Sequence, residues 1–159
     1  MQGDPQVIDF LNKALLNELT AVNQYWLHYR MLDNWGVQRL AEFERRESID
    51  EMKHADRLAE RVLFLDGLPN FQALGRLKIG ESVEEILRGD FALEHEAIPL
   101  LKEAIAHCEA VRDYVSRDLF ADILENEEEH VDTLEKQFDM IARMGLANYV
   151  QLNSKPVGE

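Results

Sequence analysis

Three residues in the first half of the chain recur in the second half at one constant offset of 76 positions. They are Glu18, Glu51 and His54 in the first half, and Glu94, Glu127 and His130 in the second. In each half a lone Glu precedes a Glu-x-x-His motif by 33 positions. Carboxylate oxygens and imidazole nitrogens without thiolates suit iron or manganese, although zinc would also bind.

The spacing predicts that the three residues of each half meet at one height. With a turn near Gly36, Glu18 lies 18 residues before the turn and Glu51 lies 15 after it. At about 1.5 Å of rise per residue, two antiparallel helices bring these carboxylates nearly level. Residues three apart share a helical face, so His54 lies beside Glu51. The same arithmetic holds for the second half about a turn near Val111.

Six such side chains in a bundle interior require a partner, because buried unpaired charges are costly. Two divalent cations match four carboxylates in charge. We therefore expect Glu51 and Glu127 to bridge two ions, with one terminal Glu and one His on each. A single Glu-x-x-His is ordinary on a solvated helix, but two copies on apolar stripes at a constant offset favour a metal site.

Four long helices must position these residues, and the chain carries their start and stop signals. Asp4-Pro5, Gly36, Asp66 to Pro69 and the capping box from Ser82 to Glu85 mark the ends. No Gly or Pro marks the break near residues 111–113. The pattern predicts an all-α, four-helix bundle with one long crossover and a short C-terminal fifth helix. Within a single domain, 1–159, we expect helices at about 5–34, 37–65, 83–111, 114–144 and 147–153.

Composition excludes several classes of protein. The net charge of −14, from 31 acidic and 17 basic residues, argues against nucleic acid as a partner. The single Cys108 excludes an internal disulfide and a cysteine-rich metal site. No signal peptide or membrane-spanning run is recognisable, so we expect no membrane association and a cytoplasmic location.

Beyond the repeat, several further segments are informative: 46–57, 64–69, 113–118 and 144–146, besides Val7-Ile8 and Asn17-Glu18-Leu19. In these segments the chain resembles bacterioferritin, a haem-containing member of the ferritin-like di-iron proteins, and the resemblance covers essentially the whole chain. The resemblance implies a ferritin-like fold and a hollow shell of 24 subunits built from two-fold dimers. It implies a ferroxidase that oxidises Fe²⁺ with O₂ or peroxide at two iron ions per subunit and stores ferric mineral inside. All six residues of the repeat match the family's metal positions, and a ferredoxin-type reductant is usual for the family.

Met52 carries a second mark of the family. At roughly 100° per residue it points away from the bundle side of Glu51 and His54. Leu19, Asn23 and Trp26 form a similar outward stripe on the first helix. A subunit interface alone would explain these apolar groups. The resemblance adds that Met52 of two subunits would hold one haem b across a two-fold axis, with that stripe beside it.

Other residues carry weaker expectations. Tyr25 lies on the same face as Glu18 and could hydrogen-bond near the site, donate an electron or simply pack in the core. His28, His95 and His107 are expected at the surface or at helix ends, and Cys108 in the core. Some relatives pair a His with an Asp on the cavity side of the second helix. Here the positions are Arg46 and Asp50, so an inner-surface iron site at Asp50 would lack its imidazole.

Two alternatives remain open from the sequence. One is a di-iron or di-manganese redox enzyme of the peroxidase type that stores no mineral, although a rubrerythrin-like version would need a four-cysteine domain. The other is a haem-carrying structural or electron-transfer shell subunit with an inactive metal site. Loss of a ligand would have favoured the latter, and none is lost.

Overall fold

The computed structural model describes residues 1–159 and contains five helices and no strand. The helices are α1 (Pro5–Asn34), α2 (Gln38–Phe64), α3 (Val83–Val111), α4 (Tyr114–Met144) and α5 (Leu146–Leu152). The all-α prediction, with a long crossover and a short fifth helix, is confirmed. None of the helices combines the length and the apolar composition that crossing a bilayer requires.

Side-chain caps begin three of the long helices. The Asp4 carboxylate accepts hydrogen bonds from the amides of Gln6 and Val7, and Pro5 occupies the first helical position. Ser82 accepts from the amide of Glu85 at the start of α3, and Asp113 accepts from that of Ser116 at the start of α4. These caps satisfy amides that would otherwise lack partners, so the local sequence fixes where each helix begins.

The bundle consists of two antiparallel hairpins, α1 with α2 and α3 with α4, and α1 also packs against α3. Gly36 makes the first turn with φ +83°, in the left-handed region that glycine tolerates. The second turn uses Arg112 at φ 61° instead of glycine. A left-handed arginine explains why no Gly or Pro marks that turn in the sequence.

The crossover between α2 and α3 is tied to one face of α1. The amide of Gly75 donates to Thr20 Oγ1 at 2.8 Å, that of Lys78 to Gln24 Oε1 at 2.8 Å, and that of Gly80 to His28 Nε2 at 3.0 Å. The three acceptors lie one turn apart along α1. The connection is therefore fixed in register against the helix that carries Glu18.

Apolar residues form two separate cores at the two ends of the bundle. The N-terminal core includes Leu11, Leu15, Leu58 and Phe120, and the α5 core includes Leu32, Leu87, Leu134 and Tyr149. Buried polar residues occupy the layer between them. That layer holds the six residues of the repeat.

Candidate metal centre

The two halves of the repeat converge on two overlapping sets of donor atoms. One set is Glu18, Glu51, His54 and Glu127, and the other is Glu51, Glu94, Glu127 and His130. Within each set one donor atom per residue lies within 4.8 Å of the others. Glu51 and Glu127 belong to both sets, which is the arrangement that two bridging carboxylates would have. We call these six residues the paired centre.

Both imidazoles of the paired centre turn Nδ1 inward. His54 Nδ1 lies 3.6 Å from Glu18 Oε2 and 3.6 Å from Glu127 Oε1. His130 Nδ1 lies 3.2 Å from Glu51 Oε1 and 3.6 Å from Glu94 Oε1. Each ring therefore offers the same nitrogen to its own set of carboxylates.

The paired centre is buried, and many of the atoms that could bind a metal lack hydrogen-bond partners. The four carboxylates are at most 3% exposed. Seven of the donor atoms have no hydrogen-bond partner: Glu18 Oε2, Glu51 Oε1, His54 Nδ1, Glu94 Oε2, both oxygens of Glu127, and His130 Nδ1. Buried polar groups are normally satisfied, so this concentration requires cations or protons between the side chains. Two divalent cations fit the donor set in number, charge and chemistry.

Without a metal, protons balance part of the charge. Burial by itself would lower the pKa of His54, but Glu127 and Glu51 outweigh it and raise the pKa to about 9. Burial opposes charging of His130 too, and Glu127, Glu47 and Glu51 raise its pKa to about 12. Burial and the nearby Glu127 raise the pKa of Glu51. Metal ions bind deprotonated imidazole, so loading the centre releases these protons.

Tyr25 lies against the second set of ligands. Its hydroxyl donates to Glu94 Oε1, and the residue is buried. Burial, followed by the charges of Asp90 and Glu127, raises the pKa of the phenol well above its usual value. The predicted hydrogen bond of Tyr25 near the site is therefore present, and its role as an electron donor stays a prediction.

Glu47 is a neighbour of the paired centre that the sequence reasoning missed. Its carboxylate contacts Nε2 of His130, on the ring edge opposite the inward Nδ1. A carboxylate on the outer nitrogen fixes the tautomer and orientation of a metal-binding histidine. Glu47 lies four residues before Glu51 and therefore on the same face of α2, so helical spacing could have identified it although it has no counterpart in the repeat.

The family follows from comparison with known proteins. A sequence model of the ferritin-like domain matches residues 8–144. A bacterioferritin of Brucella melitensis is 50% identical over 159 residues, covering 100% of this chain and 99% of that protein. Bacterioferritins of Rhodobacter capsulatus and Mycobacterium tuberculosis are 46% and 45% identical, and each alignment covers at least 98% of both proteins. The chain belongs to the bacterioferritin family.

Three of the four residues predicted to face a haem are exposed on α1 and α2, and the fourth, Leu19, is buried. Met52 is 42% exposed and Trp26 is 41% exposed, and Asn23 is exposed too. Leu19 departs from the expected outward stripe, because it is only 9% exposed and packs in the N-terminal core. Met52 can therefore contact a ligand or a second subunit at this surface, whereas Leu19 is largely buried and contributes little to it.

Asp50 lies at a half-buried position on α2. Its carboxylate is 4.0 Å from Lys53 Nζ, and Arg46 is exposed one turn earlier. Two cationic neighbours and no imidazole leave an inner-surface iron site at Asp50 without support from the geometry.

The prediction for His28 was wrong. Its side chain is fully buried, and Nδ1 donates to Asp90 Oδ1 at 2.8 Å. His95 is exposed, as expected, and His107 lies half-buried near the end of α3 with Nε2 2.9 Å from Asp4 Oδ1. His28 lies three residues after Tyr25, which puts it on the same inner face of α1. Cys108 is fully buried, as expected, and burial raises its thiol pKa to about 11.

Proposed function

We propose that this chain oxidises Fe²⁺ at the paired centre, in the service of the iron storage that its family membership assigns. The observation that carries the proposal is the pair of overlapping four-residue donor sets that share Glu51 and Glu127. Iron is the substrate and supplies the redox chemistry, with O₂ or peroxide as the acceptor. The remaining steps concern what the protein's own side chains do.

The side chains hold two ferrous ions next to one another. His54 and Glu18 would bind one ion, His130 and Glu94 the other, and Glu51 and Glu127 both. The four carboxylates balance four positive charges in a layer that the two apolar cores flank, where electrostatic interactions are weakly screened. Glu47 would hold the outer nitrogen of His130, and Tyr25 would hold an oxygen of Glu94, so both ligands on that side keep their orientation.

The first test is aerobic addition of a few Fe²⁺ ions per chain, followed by the ferric absorbance. We expect a fast phase that Glu18→Ala and His130→Ala slow, because each variant removes one terminal ligand. Glu60→Gln, an exposed change on α2, is the control and should keep the wild-type rate. A wild-type rate no faster than that of the ligand variants would contradict the proposal.

We further propose that the chain assembles as a shell of 24 subunits and that Met52 of two subunits binds one haem b. The exposure of Met52, and of Trp26 and Asn23 on α1, supports this assignment, since thioether ligation suits a haem that transfers electrons. The haem would carry electrons, supplied by a ferredoxin-type protein, toward stored ferric iron. The proposed location is the cytoplasm.

Haem binding and assembly have separate tests. Purified protein should show a Soret band that Met52→Leu removes, whereas Met140→Leu, on α4 against the α5 core, should leave it unchanged. A Soret band that survives Met52→Leu would refute the axial role. Size exclusion with iron absorbance should give a large iron-loaded particle, whereas a small iron-free one would favour a di-iron redox enzyme without storage.

A further inference from the structure

Three buried residues beyond the six ligands form a second polar cluster, on the α5 side of the paired centre. His28 and Glu44 are fully buried and Asp90 is 1% exposed. Their donor atoms lie within 4.8 Å of one another. Neither oxygen of Glu44 has a hydrogen-bond partner, and Asp90 Oδ2 has none either. Two carboxylates that face each other in this way must hold a cation or a proton between them.

The hydrogen bonds of His28 decide against a metal ion. The amide of Gly80 donates to His28 Nε2 at 3.0 Å, so the ring hydrogen sits on Nδ1 and is donated to Asp90. The imidazole therefore has no free lone pair for a cation. Gln24 Nε2 donates to the same Asp90 oxygen at 3.0 Å. Asp90 Oδ1 is thus held as an acceptor, whereas Asp90 Oδ2 and both oxygens of Glu44 are without partners in the same cluster and can share a proton.

The internal repeat indicates that the fold itself does not need this cluster. The positions 76 residues after His28 and Glu44 are Ala104 and Phe120, and the position 76 residues before Asp90 is Ala14. All three equivalents are buried in the N-terminal core. The same places in the bundle are therefore filled by apolar residues at one end and by ionisable residues at the other. Since buried ionisable groups are costly, the cluster at the α5 end has a role beyond packing.

We propose that Glu44 holds a proton, shared with Asp90, in the metal-free protein and releases it to solvent when the paired centre takes up its cations. The inference rests on the proposed function, because it assigns a proton-binding role to a group beside that same centre. The step is a simple ionisation: the O–H bond of the Glu44 carboxyl group breaks, the proton leaves to the buffer, and the carboxylate remains.

The surroundings of Glu44 support this coupling. Burial, then the negative charge of Asp90, raises the pKa of the Glu44 carboxyl well above its usual value. The titratable groups that face it are Asp90 on α3, Glu47 on α2, His130 on α4, His28 and Tyr25 on α1, and Tyr149 on α5. Glu44 makes no hydrogen bond to any of the six ligands, and it lies seven residues, or about 10 Å along α2, before Glu51. Positive ions in the neighbouring paired centre, within a weakly screened interior, favour the ionised carboxyl.

Infrared spectroscopy of the metal-free protein tests the shared proton directly. Wild type should have a carbonyl-stretch band of a protonated carboxyl at neutral pH, and Glu44→Gln should lack that component while Glu60→Gln keeps it. Glutamine mimics the protonated acid, so Glu44→Gln should fold with wild-type helix content. An identical carboxyl region in wild type and Glu44→Gln would overturn the inference.

Proton release on anaerobic addition of Zn²⁺ tests the coupling without any redox step. At two Zn²⁺ per chain, Glu44→Gln should release about one proton fewer than wild type or Glu60→Gln. Equal release with two Zn²⁺ bound, or a third Zn²⁺ at Glu44 and Asp90, would overturn this inference and leave the ferroxidase proposal standing. Failure of wild type to bind two Zn²⁺ would contradict the paired centre itself, and the infrared result would still decide whether Glu44 is protonated.

Discussion

The two metal positions of the paired centre have the same types of ligand, but the residues around those ligands differ between the N-terminal end and the α5 end of the bundle. At the N-terminal end, the carboxylate contacts of His54 all involve Nδ1, and its side chain is 12% exposed. At the α5 end, His130 has the Glu47 carboxylate on its outer nitrogen, and Tyr25 donates to Glu94. The positions that correspond to Glu47 and Tyr25 under the repeat are Ile123 and Leu101, both in the N-terminal core.

The repeat thus preserves the ligands but not the groups that support them. A carboxylate on the outer nitrogen raises the basicity of a histidine ligand and restrains its ring. The two metal positions should therefore differ in affinity although their ligand types are identical. Substitutions at the shared ligands, at each end and in the supporting groups should separate the two positions.

Removing a shared ligand should damage both ends at once. Glu127→Ala removes the carboxylate that both donor sets share, whereas Glu18→Ala affects only the set that contains His54. We expect Glu127→Ala to abolish the fast ferric phase and to weaken the binding of both ions, and Glu18→Ala to weaken the binding of one ion only. Anaerobic calorimetry with Zn²⁺ checks this, and a loss confined to one ion in Glu127→Ala would contradict the bridging assignment.

Removing the outer carboxylate should weaken only the α5 end. Glu47→Gln leaves all six ligands in place but replaces the charged partner of His130, so we expect about 10- to 100-fold weaker binding of one ion. The affinity for the ion at His54 should be unaffected, and Glu60→Gln should change the affinity for neither ion. Equal weakening of both ions would mean that Glu47 acts on the net charge of the centre and not on His130.

The stability of the metal-free protein should fall as the pH rises. The pKa of His54 is raised to about 9 in the fold, from an unfolded value near 6.5, so its contribution is present below pH 6.5 and is lost as the pH passes 9. The loss should amount to a few kcal/mol, because a tenfold change in proton affinity corresponds to about 1.4 kcal/mol. Zn²⁺-loaded protein should lack this decline, since metal replaces the protons. Thermal unfolding between pH 6 and 10 measures both, and parallel curves would show that protons on His54 do not stabilise the metal-free centre.

Removing the hydroxyl of Tyr25 should destabilise the metal-free protein more than the metal-loaded protein. Tyr25→Phe deletes one hydrogen bond to a buried carboxylate, which is typically worth about 1.5–3 kcal/mol when the acceptor is charged. We expect that loss in the metal-free protein and a smaller loss when Zn²⁺ is bound, because the metal then orients Glu94. Denaturant unfolding with and without Zn²⁺ is the measurement, and Leu101→Met at the corresponding position of the other end is the control.

The contrast between the ends also explains what could be predicted from the sequence. The six residues of the repeat stood out because each had a counterpart 76 positions away, and the apolar stripes around them predicted four helices. Glu44 and Glu47 have no such counterpart, so a search for repeats passed over them. Helical spacing alone could have found them, since Glu44, Glu47 and Glu51 lie at i, i+3 and i+7 on one face of α2.

The hydrogen-bond partners of His28 could not be predicted from local sequence, because they come from distant segments of the chain. Its ring is fixed by Asp90 on α3 and by the amide of Gly80 in the crossover. A lone histidine on a helix carries no signal of such long-range bonds. The turn at Arg112 also lacks a local signal, since a left-handed arginine leaves no mark in composition.

Anomalous diffraction from crystals loaded anaerobically with Fe²⁺ would locate the ions of the paired centre. We expect two iron peaks per chain, roughly 3.5–4 Å apart as in other two-metal sites. One should lie within bonding distance of His54 Nδ1 and the other of His130 Nδ1, with Glu51 and Glu127 reaching both. A single peak, or two peaks that do not share these carboxylates, would contradict a dinuclear centre bridged by Glu51 and Glu127.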